Sequence, residues 1–444
     1  EDALDSQADD VRANGNLHRR NTDRGAIGRR HLWEAFFETE LSPIRGRRFV
    51  EELTFNLSGR YTDENNYGSD FTYSVKGVYR PNDWMSFRGS YGTSYRAPNA
   101  REQFLAGASG FNTITDPCIV PVNARQSDGN PNTPDTYDAT GDSRSSIVIA
   151  NCQAGGVDPF SLGISDPNNT RQPAYGTEII TGGTTALNAE TSTSQTFGTV
   201  LEQPWFDAFD LRFAMTYYDI VVTDSIEEPG QGFIISDCYV DQPNFTSGFC
   251  NRITRDSDGY ISLVDSSFIN IGTITSKGVD FNLVFQDDIS FLGDWGFTLD
   301  LRATRANEQI FNVLGTVDDN AGETDVPHWV GNVRATLDRN DWRFSWFTRY
   351  VGGGEENEPA ATADFTCPGT TCQPIWYTDD YYVHTASVSW TPNDWTINVG
   401  IENLFDEEPP LVDGDGVFSV FNRPLGVGHD QMGRRWFIGV RKEF

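Results

Sequence analysis

Apolar and polar residues alternate one for one in segment after segment of this chain. In 209–223, Phe209, Leu211, Phe213, Met215 and Tyr217 oppose Asp210, Arg212 and Thr216. In 275–287, Val279, Phe281, Leu283 and Phe285 share one side. A period of two is the signature of an extended strand with one apolar face. The pattern recurs in 31–44, 50–64, 68–80, 85–97, 189–202, 295–306, 328–338, 342–351 and 380–391. It closes with a pair of segments around 395–402 and 433–444, the last carrying Trp436, Ile438, Val440 and Phe444 on one face. That predicts about thirteen strands, of the length that a tilted strand needs to cross a bilayer.

Charge fixes which face meets lipid. Arg60, Lys76, Arg88, Arg212, Arg302, Arg334 and Arg343 all lie opposite the apolar residues of their segments. A slip of one residue would turn them outward, and an Arg at the bilayer midplane costs ~2–4 kcal/mol. The predicted fold class is therefore all-β, a transmembrane antiparallel β-barrel. No run of eighteen apolar residues occurs, so no transmembrane helix is expected. A soluble β-sandwich would also bury one face, but connection lengths and tryptophans count against it. Short connections repeat one phrase, RPNDW (80–84), RNDW (339–342) and TPNDW (391–395), with GDW at 293–295. Pro, Asn and Asp are turn residues. Long connections lie near 98–188, 225–274, 307–327, 352–379 and 404–432, and barrels of this class place the longer loops outside. Residues 1–30 read as a polar loop or part of an upstream segment, with 31–444 as barrel. Trp295, Trp342, Trp390 and Trp395 mark the short-turn end, and Trp33, Trp329 and Trp436 the other. Trp84 is out of phase with Phe87 and Tyr91, which suggests a bulge.

Six cysteines fall in three neighbouring pairs, Cys118 and Cys152, Cys238 and Cys250, Cys367 and Cys372, each inside a long loop. An even, locally paired set suggests disulfides and an oxidising compartment, although about fifteen pairings are open. Zinc is a weaker reading, because the C-x4-C spacing has no histidine pair beside it. Acidic residues outnumber basic ones 64 to 33, a net charge of −31. That opposes nucleic-acid binding and makes calcium a candidate for the outer loops, with no resident metal otherwise expected. Residues 254–265 offer Thr254, Asp256, Asp258, Gly259 and Asp265, and 410–422 is similarly acidic. An EF-hand loop needs an acid first and Glu last, so a tight Asp-Gly turn fits the first better. Ser143 after Gly141-Asp142, with His328 after Asp325, imitates a serine esterase. Loop and strand-end positions do not hold a nucleophile beside its base, so no enzyme activity is expected. Ligand contact is expected from the lumen face: Arg88, Arg96, Asp210, Arg212, Asp280, Asp300, Arg302, Arg334 and Arg343.

Six stretches, in order, resemble a TonB-dependent outer-membrane receptor. They are WEAFFETELSP (33–43), FRGSYGTSYRAPNAREQF (87–104), SKGVDFNLVF (276–285), DVPHWVGNVRATL (325–337), VGIENLFDEEPP (399–410) and GRRWFIGVRKEF (433–444). The resemblance implies a 22-stranded barrel, of which this chain is the C-terminal portion, with roughly nine strands, a plug and a TonB box expected upstream. It implies residence in the lipid of the Gram-negative outer membrane. Partners would be the TonB complex, the barrel assembly machinery reading the strand that ends at Phe444, and a bulky nutrient: siderophore, vitamin, oligosaccharide or peptide. A passive porin-like channel and a surface-exposed binding protein are the alternatives.

Overall fold

The computed structural model describes residues 2–6, 22–23, 26–130, 132–164, 171–290, 293–313, 316–356, 375–412, 419–420 and 422–443. Cys367, Cys372 and Phe444 lie outside them, as does most of the acidic stretch 410–422.

Thirteen strands pair in sequence order into one antiparallel wall. They are β1 (Leu32–Arg47), β2 (Val50–Glu64), β3 (Gly68–Asn82), β4 (Met85–Arg96), β5 (Glu190–Glu202), β6 (Phe209–Glu227) and β7 (Ile269–Ile289). β8 (Trp295–Val313), β9 (Trp329–Arg339), β10 (Trp342–Val351), β11 (Tyr381–Trp390), β12 (Trp395–Glu402) and β13 (Arg435–Lys442) complete it. The register carries the alternation across strands. Phe213 pairs with Leu283, Leu283 with Leu301 and Leu301 with Val333, giving an apolar row on the outer face. On the opposite face Thr216 pairs with Asp280 and Asp280 with Thr304. Large apolar side chains therefore stay exposed, Trp436 and Ile438 each at 73 %. In water such a surface would aggregate; in a bilayer it is the solvated face.

Asn340 and Asn393 occupy the left-handed region at φ 49° and 50°. Asn tolerates that conformation, which explains its recurrence in the short turns. Asn82 acts differently, its side chain accepting the Trp84 N–H at 3.2 Å. Trp84 thus belongs to a turn after a register shift between Tyr79 and Asn82, and packs 5.3 Å from Trp205 of the next short turn. At the same end Trp342 stacks on Trp390 at 5.5 Å. Lys442, in phase with the outer face, puts its ammonium 5.1 Å over the Trp395 ring, at the interface where its charge reaches water.

The largest buried apolar cluster lies in the loops instead of the wall. Segments 97–189 and 228–268 fold together. Their strands Ile253–Arg255, Ile261–Asp265, Ala174–Thr181 and Ala108–Thr115 form a sheet in that order, edged by Thr22–Asp23. Ala174–Thr181 runs parallel to Ile261–Asp265, which comes from the other loop. Ile114, Ile119 and Val148 from the first loop share a core with Ile234, Tyr239 and Val264 from the second. The disulfides Cys118–Cys152 and Cys238–Cys250 lie in that cluster, and each closes within its own loop. Asp116, fully buried, receives two bonds from the Arg255 guanidinium, at 2.7 and 3.0 Å, joining the loops by an ion pair. Burial opposes the Arg255 charge, but its bonds to Asp116 hold its pKa above the usual arginine value. Asp2–Ser6 pairs antiparallel with Ala26–Arg30.

The Cys118–Cys152 bridge spans 34 residues, worth about 3–4 kcal/mol in the chain-entropy account. Replacing both cysteines by alanine should speed limited proteolysis within 98–188 while leaving the heat-dependent gel shift of the barrel intact. Unchanged cleavage would show that the bridge does not hold the cap.

Candidate lumen site

On the inner face β4, β6, β7, β8, β9 and β10 line a cavity of about 740 Å³ with Arg88, Thr216, Asp280, Asn282, Arg302, Thr304, Asn332 and Arg349. Alternation alone places these side chains inward, and the register sets their neighbours. Arg88 pairs with Gly198, and Gly198 with Thr216. Because Gly198 has no side chain, the Arg88 guanidinium crosses it and donates to Thr216 Oγ1 at 2.7 Å. A Cβ at Gly198 would come within 2.8 Å of Met215 O and Thr216 Oγ1. One strand further on, Thr304 Oγ1 donates to Asp280 at 2.7 Å. Arg302 pairs with Asp300 at 3.1 Å.

Of the nine lumen candidates, the cavity gathers Arg88, Asp280 and Arg302, with Asp300 bracing the last. The others are elsewhere. Arg96 pairs with Glu102 at 3.1 Å and with Glu190, tying the end of β4 to the cap helix Ala100–Phe104 and to β5. Asp210 and Arg212 line a smaller hollow of about 340 Å³ with Glu202 and Gln286. Arg334 lies 5.5 Å over Phe347, and Arg343 donates to Asp338 at 2.6 Å. Sequence reasoning passed over Asn282, Asn332 and Arg349, although their phase marks them as inward.

The described part of the loop between β12 and β13 borders the cavity at its long-loop end. Gly426, Val427 and Gly428 form part of its wall. Val427 packs on Val351, Tyr381 and Val383, and the Asp430 N–H donates to Tyr381 Oη at 3.2 Å. The His429 ring sits 4.9 Å from that of Tyr381. Burial, and then the Arg349 charge, push His429 down to about 4. The loop starts from the NLFD element, where buried Asn403 exchanges two 2.8 Å hydrogen bonds with the Glu407 backbone.

A second hollow, of about 1030 Å³, is framed by the loops after β8 and β10. Among the described residues it carries eight carboxylates, Asp318, Asp319, Glu323, Asp325, Glu355, Glu356, Asp379 and Asp380. In the calcium-like stretch, Asp256 Oδ1 accepts the N–H groups of Asp258 and Tyr260 at 3.0 and 2.9 Å, with Gly259 at φ 89°. Its carboxylate thus shapes the turn between Ile253–Arg255 and Ile261–Asp265. Ser143 sits in the cap between Asp142 and Arg144, which pair at 2.8 Å, while His328 Nδ1 lies 3.0 Å from the Ala306 carbonyl. No hydrogen bond joins Ser143 to His328 among the described residues.

A family model for the TonB dependent receptor-like β-barrel matches residues 3–404. No curated protein sequence matches the chain significantly. Among solved structures it is similar to the siderophore receptor PirA from Acinetobacter baumannii, at 13 % identity and TM-score 0.51, covering 94 % of this chain and 46 % of that one. A mutant of the ferric enterobactin receptor PfeA from Pseudomonas aeruginosa gives 12 % identity and TM-score 0.54, covering 95 % and 46 %. Another PfeA mutant, in complex with enterobactin, gives 11 % and 0.53, covering 94 % and 46 %. At these identities the likeness is one of fold, and the chain spans less than half the length of these receptors. The proteins matched are receptors, not enzymes.

Two consequences are measurable. Gly198→Leu should dislodge Arg88 from Thr216 and cost ~1–3 kcal/mol through overpacking; an unaltered thermal midpoint in detergent would contradict this. Because the pKa of docked His429 is depressed, the free loop binds the proton more tightly, so acid favours release. Divided by the intrinsic exchange rate at each pH, hydrogen exchange in 422–434 should be flat above pH 6.5 and rise as pH falls towards about 4, and His429→Phe should remove that rise.

Proposed function

Because the chain belongs to the TonB-dependent receptor family as its β-barrel, we propose that it forms the C-terminal wall of a transporter that imports a scarce, bulky solute with energy relayed by TonB. Its place is the outer membrane of a Gram-negative cell. The observation that carries the reading is the lumen face. Cross-strand rows of polar side chains line a cavity of about 740 Å³ bordered by Gly426, Val427 and Gly428 of a long loop, within the volume range of small-molecule sites. In this reading the cap and the acidic hollow face outside, and solute passes from them to the lumen. Arg88, Asp280 and Arg302 contact it, and coupling to TonB runs through a plug encoded upstream. The barrel assembly machinery receives the closing strand. Siderophore, vitamin, oligosaccharide and peptide are the cargo classes compatible with that size.

A passive channel is the competing reading, and energy dependence separates the two. With its upstream coding segment in place, the receptor should restore growth on a limiting nutrient only in cells that have TonB. Equal restoration without TonB would favour a porin-like channel.

A further inference from the structure

The short turn between β1 and β2 carries Arg45, Arg47 and Arg48 within four positions. Other short turns are acidic: Glu202, Asp207 and Asp210 surround the one between β5 and β6, and Asp287, Asp288 and Asp294 the one between β7 and β8. In a chain of net charge −31 the first turn is a local reversal of sign. Arg45 is committed, since it donates to Ser42 Oγ at 3.0 Å and faces Glu52 across the ladder. Arg47 and Arg48 are exposed, and neither guanidinium meets a carboxylate among the described residues. Glu51, the next acid on β2, forms no ion pair among them either.

The turn presents an apolar group beside these charges. Phe49 is 67 % exposed, and its backbone stands in the left-handed region at φ 63°. A bulky residue seldom adopts that conformation. Tyr79 holds it there: its hydroxyl donates to the Phe49 carbonyl at 2.8 Å, while its ring stacks on Phe87 at 6.2 Å. Tyr79 pairs with Leu53 and, like Phe87, lies on the outer, apolar face of the wall. The tip of the turn is therefore tied to the lipid side and not to the lumen. Arg48 lies 4.9 Å over the Phe49 ring, so charge and ring form one patch.

We propose that this turn seats an anionic phospholipid of the periplasmic leaflet, with the phosphate on Arg47 and Arg48 and Phe49 at the acyl boundary. Short turns face the periplasm in barrels of this class. Headgroup depth is where a long cationic side chain keeps its charge in water while an aromatic ring meets the acyl chains. Guanidinium pairs bidentately with phosphate and stays charged at any physiological pH. Acids of the outer loops do not cancel the attraction, because exposed charges are screened beyond about 8 Å at physiological ionic strength. The seat lies outside the lumen, so it goes beyond the transport reading and needs neither solute nor plug.

The probe is phosphatidylglycerol, titrated into the full receptor in detergent and counted by native mass spectrometry against phosphatidylcholine of the same acyl chains. Phosphatidylglycerol should be retained preferentially. Arg47→Gln combined with Arg48→Gln should weaken its binding about twentyfold, and the corresponding lysine pair should keep most of it. Arg441→Gln, at the same end but paired with Glu443, should change nothing. The heat-dependent gel shift reports folding; if the glutamine pair does not fold, Arg48→Gln alone should still weaken binding about fivefold. Equal retention of the two lipids, or full retention in the glutamine variants, would overturn the seat. So would displacement by free glycerol phosphate, which marks a plain phosphate site, or by poly-glutamate, which marks an acidic protein partner. If TonB-dependent uptake persists beside any of these results, only the lipid seat fails and the transport reading stands.

Discussion

A backbone amide in hydrocarbon has no water to turn to, so every strand in the bilayer must find its hydrogen bonds in a neighbour. The rest of the structure follows from that requirement. It makes the wall a continuous ladder from β1 to β13. With the ladder fixed, each residue's parity decides whether it meets lipid or lumen. Phe213, Leu283, Leu301 and Val333 line up outside, Thr216, Asp280 and Thr304 inside. The lumen chemistry is thus the other half of the pattern that makes the wall insertable.

This is why so much of the wall was legible in the sequence. Alternation, turn phrases and tryptophans report on a backbone regularity that tertiary context scarcely perturbs. Trp84 shows where the regularity stops: its phase made sense only once the turn after β3 and the neighbouring Trp205 were visible. The site was less legible. Parity names inward residues without saying at what height each sits. It put Arg88, Asp280 and Arg302 on the inner face, but it could not separate them from Arg96, which braces the cap, or from Arg343, which pairs with Asp338. Height is set by strand stagger, and stagger lives in the pairing register. Arg349 carried the right phase and still gained meaning only beside Arg302 and Asn332.

The long loops were the least legible part. Their strands are short and embedded in Asn, Asp, Gly and Thr, so no periodic window stands out. The sheet they build joins segments 174–181 and 261–265, far apart in the chain. Buried Asp116 and partly buried Arg255 illustrate the point: either alone reads as a solvated loop charge, and only their encounter makes both tolerable at the core.

That encounter also imposes an order of events on biogenesis. Cys118–Cys152 and Cys238–Cys250 are local to one loop each, so either can close as soon as its loop meets an oxidising compartment. The shared sheet cannot. Between the two loops lies the β5–β6 hairpin, and both loops must emerge on one side before Ala174–Thr181 can find Ile261–Asp265. The shared sheet therefore forms only once that hairpin has brought both loops to the same end of the wall.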